Sequence, residues 1–339
     1  MNYFKAYLII FFCCYCIHSF SQTVEVLSNG SRASLRGISA IDDRTVWVSG
    51  SNGNVGRSID GGSTWEWKTV AGFEKRDFRD IEAFSENTAV IMAIDAPAVI
   101  LKTTDAGKNW KVVFTDSTKG MFLDAMDFYD SNTGVVVGDP IDGHLYIAFT
   151  ADNGSSWQPA PMDKRPRVDN GEACFASSGS NIHLLRGNNF LAVTGGTNAR
   201  LFYNTTGYPL PIMKGTETTG ANAIGVFNRN IAIVGGDFKN KDRSDSCYLF
   251  FDNFTRASNA RYATFSEKGF SYHSGVTFIS SGKIIACGLN GVDVSDDNGV
   301  HWKNISKESF NAVVKAKNSD AVFLCGGNTK IGRLIIRME

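Results

Sequence analysis

The chain has 339 residues, 43% of them hydrophobic and 20% charged, ordinary values for a folded protein with a large core, which excludes a disordered chain. Lysine plus arginine equals aspartate plus glutamate, at 34 each. That balance excludes the clustered basic charge by which nucleic-acid binders displace counterions from phosphate, so no DNA or RNA partner is expected.

The first element is a targeting signal. Residues 1–5 carry one positive side chain, residues 6–17 are an apolar run of twelve, and Ser19-Phe20-Ser21 is a small-x-small cleavage pattern before Gln22. Twelve residues are too few to cross a bilayer, so the pattern predicts a secretory signal peptide over 1–21, cleaved after Ser21. The mature chain, 22–339, is then secreted or periplasmic, without a transmembrane segment, and reads as one domain. Cys13, Cys14 and Cys16 leave with the signal. Cys174, Cys247, Cys287 and Cys325 are too far apart for a disulfide framework, hold no C-x-x-C spacing, and read as small buried hydrophobes.

Internal repeats decide the architecture. The template Ser/Thr-x-Asp-x-Gly-x-x-Trp occurs at Ser58-Ile59-Asp60-Gly61-Gly62-Ser63-Thr64-Trp65 and returns with Asp105 and Trp110, with Asp152 and Trp157, and with Asp297 and Trp302. The first three aspartates are 45 and 47 residues apart, the length of a four-stranded blade. The aspartate can accept hydrogen bonds from the turn's own N–H groups, and glycine supplies the positive φ of a tight hairpin. The box is a clip between strands, so Asp60, Asp105, Asp152 and Asp297 are read as structural.

A second repeat is more complete. Seven short apolar runs carry a small or β-branched residue near their ends, at Ser49, Ala93, Val137, Thr194, Val234, Cys287 and Cys325. Such runs read as strands buried on both faces, and the small column fits crowding toward an axis. Seven runs predict a seven-bladed, all-β propeller of four-stranded antiparallel blades. Degenerate boxes fall at Tyr203-Asn204-Thr205-Thr206-Gly207 and Phe251-Asp252-Asn253. The last blade runs out of chain after its third strand, and residues 23–27 are expected to supply the missing outer strand, closing the ring.

The boxes, the period and the glycine-ended strands together resemble the photosystem II stability/assembly factor-like propellers, a branch of the Asp-box (BNR) repeat proteins within the WD40/YVTN-like propeller class. The resemblance runs over nearly the whole mature chain. It is strongest in 34–70, in 120–140 with the phrase Met121-Phe122-Leu123-Asp124-Ala125-Met126-Asp127-Phe128, in 171–180, at Gly235-Gly236-Asp237 and in 291–302. It implies the fold and leaves the activity open, since relatives of this kind carry labels such as oxidoreductase or glycosyl hydrolase and one fold hosts many functions.

Cofactor chemistry has no sequence support. No G-x-G-x-x-G or Gly-Lys-Ser/Thr phosphate loop is present. His144, His183, His273 and His301 lie at no ligand spacing from one another or from a cysteine, so neither a metal nor another cofactor is expected. Hydrolases remain as an alternative. A sialidase-like site would use arginines such as Arg36, Arg79 and Arg200, but the early arginine motif is missing. Paired carboxylates could come from Asp95, Asp139 and Glu172, against which stands their reading as solvated loop residues.

The leading reading is a binding or assembly scaffold, expected to be a monomer, that takes a protein or glycan of the cell envelope at the channel mouth. Aligned inner strands bring Arg36, Arg79, Leu123 or Asp124, Glu172, Asn222, His273 and Asn311 to one position, and Arg200 is placed near the axis. Convergent polar groups round a concavity are the usual signature of a site. The plainer possibility is that they solvate the channel lip or pair with each other, as Arg79 with Asp80. Two mixed-charge insertions, 161–174 and 237–246, are expected to enlarge the same face.

Overall fold

The computed structural model describes residues 20–27, 33–255, 262–264 and 270–338. The apolar run 6–17 expected to form the signal lies outside the described residues. Phe20 and Ser21, at the expected cleavage point, stand opposite Met338 and Arg337 in a strand pair.

The described strands form seven antiparallel sheets, six of them four-stranded. Blade 1 runs through Leu35–Ala40, Val46–Gly50, Asn54–Ser58 and Glu66–Thr69, and each later blade repeats the order. In blade 7 the order is Ala312–Lys315, Val322–Cys325, Ile331–Met338 and then Phe20–Leu27, paired from Phe20 opposite Met338 to Leu27 opposite Ile331. The fifth sheet carries two added strands, Glu172–Ala173 and Gly195–Gly196, beside its inner strand Thr219–Phe227. One helical turn, Met162–Lys164, is found among the described residues.

The core lies between blades. Each neighbouring pair of blades encloses one apolar cluster: Trp47 and Val55 of blade 1 meet Phe78, Ile81 and Leu101 of blade 2, and Phe323 and Cys325 of blade 7 meet Leu35 and Val48 of blade 1. Burial of one such side chain stabilises by about 1.5–3 kcal/mol, so sheets that each bury both faces need no helix to cover them. All seven residues of the small column are wholly buried. Space is the reason: a Cβ on Gly37 would come within 2.3 Å of the Ser49 hydroxyl.

The boxes act as clips. In the second, the N–H of Asn109 and its side-chain amide donate to the two oxygens of Asp105, at 2.9 and 2.7 Å, and hold its carboxyl down to about 2. The Thr103 hydroxyl accepts from the N–H of Gly107 at 3.0 Å. Two successive left-handed residues make each turn: Gly61 and Gly62, Ala106 and Gly107, Asn153 and Gly154, Asn298 and Gly299. Trp65 and Trp302 donate their indole N–H to the turn carbonyls of Gly62 and Gly299, whereas the indole nitrogens of Trp110 and Trp157 are buried without a partner.

Candidate functional site

A feature of the inner strands builds the site. Strand register slips by one residue between Leu35 and Gly37, Phe78 and Asp80, Leu123 and Ala125, and Ala221 and Ala223. The residue left over in each β-bulge is Arg36, Arg79, Asp124 or Asn222. A bulge frees a side chain from the alternation of its strand and re-aims it. All four line one cavity of about 430 Å³ at the mouth, with Asn311.

Blade 6 contributes Ser274 to the lining. Its N–H donates to the carbonyl of Cys287 at 2.9 Å, as Asn311 donates to Cys325 at 2.7 Å. The Arg36-Gly37 pair therefore corresponds to Ser274-Gly275, one residue on from His273, and the shared glycine is the sequence signal that fixes the register. His273 is buried, stacks on Phe270 with ring centres 4.2 Å apart, and holds Asp293 Oδ2 through Nε2 at 2.7 Å. It is not among the residues lining the cavity.

Blade 4 differs most. Its inner strand is Ile182–Leu185, ten residues beyond Glu172. Glu172 pairs with Arg200 instead, and neither lines the cavity. The stretch 175–180 precedes that strand and is held by residues of blades 1, 2 and 5. Its Ser177 carbonyl accepts from Arg36 Nη1 at 3.1 Å and its Ala176 carbonyl from Arg79 Nη1 at 2.8 Å. The Ser177 hydroxyl donates to Asn222 Oδ1 at 3.1 Å. Gly179, at φ 67°, lets the stretch pass Asp80, whose carboxylate would lie 2.5 Å from an added Cβ.

Arg79 is held from behind as well. Arg79 Nε donates to Asp77 Oδ2 at 2.7 Å. Asp80 is turned inward, accepting from the N–H groups of Ile81 and Met126 at 2.8 and 2.7 Å, so it is not Arg79's partner. Burial lowers the pKa of Arg36, and the Arg79 charge adds to the effect.

Asp139 also lines the cavity, whereas Asp95 does not and is exposed. Asp124 and Asp139 carry the two acidic groups of the lining. Burial raises the Asp124 carboxyl well above the usual range, with the Asp139 charge adding to it and Arg79 opposing. Burial pushes Asp139 up to about 6. Phe175, Tyr272, Phe238 and Leu289 line the same cavity, the last two 39% and 41% exposed. No group of three or more histidine, cysteine or acidic side chains able to hold a metal occurs among the described residues.

Residues 20–119, which hold the closing strand and the first two blades, match the family described as photosynthesis system II assembly factor YCF48. The solved structure of "YCF48 bound to D1 peptide" is similar over 92% of this chain and 96% of its own, at 18% identity and a TM-score of 0.65. The chain shares the propeller fold of that structure. YCF48 from Cyanidioschyzon merolae matches over 92% of this chain and 98% of its own, at 17% identity and a TM-score of 0.65. The WD40 propeller domain of Doa1 matches over 94% and 97%, at 14% identity and a TM-score of 0.61. No curated protein matches in sequence. Identities this low speak for the fold alone; the ligand of this propeller has to be argued from its cavity.

Sequence reasoning did not single out Tyr272, Ser274, Phe238, Leu289 and the stretch 175–177 of the lining, nor Asp77, which holds Arg79. Phe238 sits in the expected insertion 237–246, where an aromatic among charged residues was a usable signal.

Proposed function

We propose that this propeller is a non-catalytic assembly or binding scaffold that holds a segment of a partner protein in its mouth cavity. The observation that carries the reading is the composition of that cavity: two braced arginines together with exposed Phe238 and Leu289. A concave surface with a few fixed polar groups and an apolar wall suits a peptide segment bearing both kinds of side chain. The D1 peptide bound to the similar YCF48 supports the same class of ligand. With the signal expected over 1–21, the partner belongs to the cell envelope or the exterior.

The test is binding of the purified propeller to peptide and glycan arrays, repeated with the Arg36→Ala/Arg79→Ala variant. We expect peptide binding that the double variant weakens by at least about tenfold, the equivalent of about 1.4 kcal/mol. Binding confined to glycans would sink the peptide reading. The paired carboxyls of Asp124 and Asp139 support a second reading, glycan hydrolysis, which requires turnover that Asp139→Asn removes.

A further inference from the structure

We propose that Asp124 and Asp139 form a subsite for an ammonium group, a lysine side chain or a chain-terminal amine, on a ligand whose neighbouring apolar group rests against Phe238 and Leu289. The inference rests on the peptide-binding reading and adds the chemistry the peptide must carry.

Blade 3 is built differently from the others at this point. Its inner strand bulges at Asp124, as three other blades bulge at the same place, but its second strand also slips register between Gly138 and Pro140, which leaves Asp139 over. None of the other described pairings of second and third strands has such a slip. The N–H of Asp139 donates to the carbonyl of Phe122 at 2.8 Å, which fixes the second bulge beside the first. Two adjacent bulges thus turn two carboxyls onto one wall of the cavity.

Those carboxyls lack donors. Asp124 is 1% exposed, and its Oδ2, like Oδ1 of Asp139, is buried without a hydrogen-bond partner. An unpartnered buried acceptor costs about 1–3 kcal/mol, and more where it is charged. The nearby cations are committed elsewhere: Arg79 to Asp77 and the Ala176 carbonyl, and Arg36 to the Ser177 carbonyl. An ammonium group supplies three N–H donors and a positive charge, so one group relieves both oxygens and the repulsion between them. No group of three or more acidic, histidine or cysteine side chains placed to hold a metal occurs among the described residues, and an organic cation fits the pair.

The groups that line the cavity with Asp124 and Asp139 are Arg36, Arg79, the Cys174 thiol and the Tyr272 phenol. Burial raises the thiol pKa and pushes the phenol up to about 12, so both stay neutral. Asp139, pushed up to about 6, is the group that changes charge near neutrality. Ammonium binding therefore strengthens as pH rises through about 6, and the bound cation in turn draws the proton off the pair.

Isothermal titration of the propeller with three capped dipeptides tests this: acetyl-Phe-Lys-amide, acetyl-Phe-norleucine-amide and acetyl-Phe-Glu-amide, at about pH 5 and about pH 7.5. The lysine peptide should bind at least about tenfold tighter than the norleucine peptide at the higher pH, with a smaller ratio at the lower. Asp124→Asn and Asp139→Asn should each bring the ratio close to one while norleucine affinity stays near the parent's and neither variant unfolds at a lower temperature than the parent. Equal affinities, or a ratio the asparagine variants leave intact, would overturn the subsite. If the glutamate peptide binds best and Arg36→Ala removes it, the peptide-binding reading survives and the ammonium subsite does not. Should none of the three bind, the subsite fails, and the arrays decide the broader reading separately.

Discussion

Arg200 grips Glu172 with two parallel hydrogen bonds, Nε to Oε1 at 2.9 Å and Nη2 to Oε2, and the glutamate side chain has no exposed surface. The Thr194 hydroxyl donates to the same Oε1, and the guanidinium lies 4.8 Å above the Phe202 ring. This knot fastens the end of the 161–174 insertion to blade 4, just before the stretch whose carbonyls brace Arg36 and Arg79. The pair therefore shapes the mouth without lining it.

Breaking one half of a buried ion pair leaves the other half's charge without compensation, at a cost of about 3–5 kcal/mol, whereas replacing both with apolar groups is often near neutral. Arg200→Ala should accordingly lower unfolding stability by about 3 kcal/mol, and Arg200→Leu/Glu172→Leu by much less. Urea unfolding of the two variants beside the parent measures both. Equal losses would mean that the pair serves as packing and not as a charge knot.

Asp139 gives a pH dependence with a defined sign. Its carboxyl is raised from 3.8 to about 6, so between those values the folded state holds more protons than the unfolded one. Stability contributed by the protonated form is then present below about pH 4 and is lost as pH rises to about 6. Asp139→Asn removes that loss. Allowing for partial exposure, the variant should be more stable than the parent by on the order of 2 kcal/mol at pH 7.5 and about equal near pH 4. Chemical unfolding at the two pH values checks it, and a variant weaker at pH 7.5 would refute it. Sites that bind are commonly places where stability is forgone.

Ala106 stands where two of the other boxes have asparagine and one has glycine, at φ 64°. An alanine in the left-handed region costs roughly 1–2 kcal/mol, part of which glycine returns through its looser unfolded chain. Ala106→Gly should therefore stabilise by about 0.5–1 kcal/mol, read from the urea midpoint at unchanged slope. Destabilisation would show that the methyl group's burial outweighs the strain.

Blade number and closure were legible because they are written as repetition. The small column from Ser49 to Cys325 marks each second strand, and the boxes mark three hairpins in succession. The mouth was only partly legible. Arg36, Arg79, Asp124, Asn222 and Asn311 could be aligned because each starts a buried strand, but the bulges that aim four of them are backbone events with no residue signature. In blade 4 the alignment settled on Glu172 because the true inner strand starts ten residues later, after a stretch held by contacts to blades 1, 2 and 5. The pairing of Asp124 with Asp139 needed two neighbouring slips of register, and no one-dimensional pattern encodes that.

Closure of the ring can be tested from the strand that completes it. Val24 and Leu27 of Phe20–Leu27 face inward: Val24 packs in the cluster between blades 6 and 7 beside Gly332, and Leu27 reaches the first box, with its Cδ1 2.5 Å from where a Cβ on Gly62 would stand. Val26 and Ile336 are about half exposed. The strand therefore contributes two half-buried apolar side chains and a full row of backbone pairs to Ile331–Met338. Val24→Ala should cost about 1–2 kcal/mol. Deleting 20–27 should cost at least about 3 kcal/mol by the same area reasoning and leave Ile331–Met338 as an open edge, the usual template for strand-to-strand association. Thermal unfolding and size-exclusion chromatography distinguish the outcomes. A truncated chain that melts with the parent and stays monomeric would mean that blade 7 holds with three strands, and that the terminal strand decorates the ring without closing it.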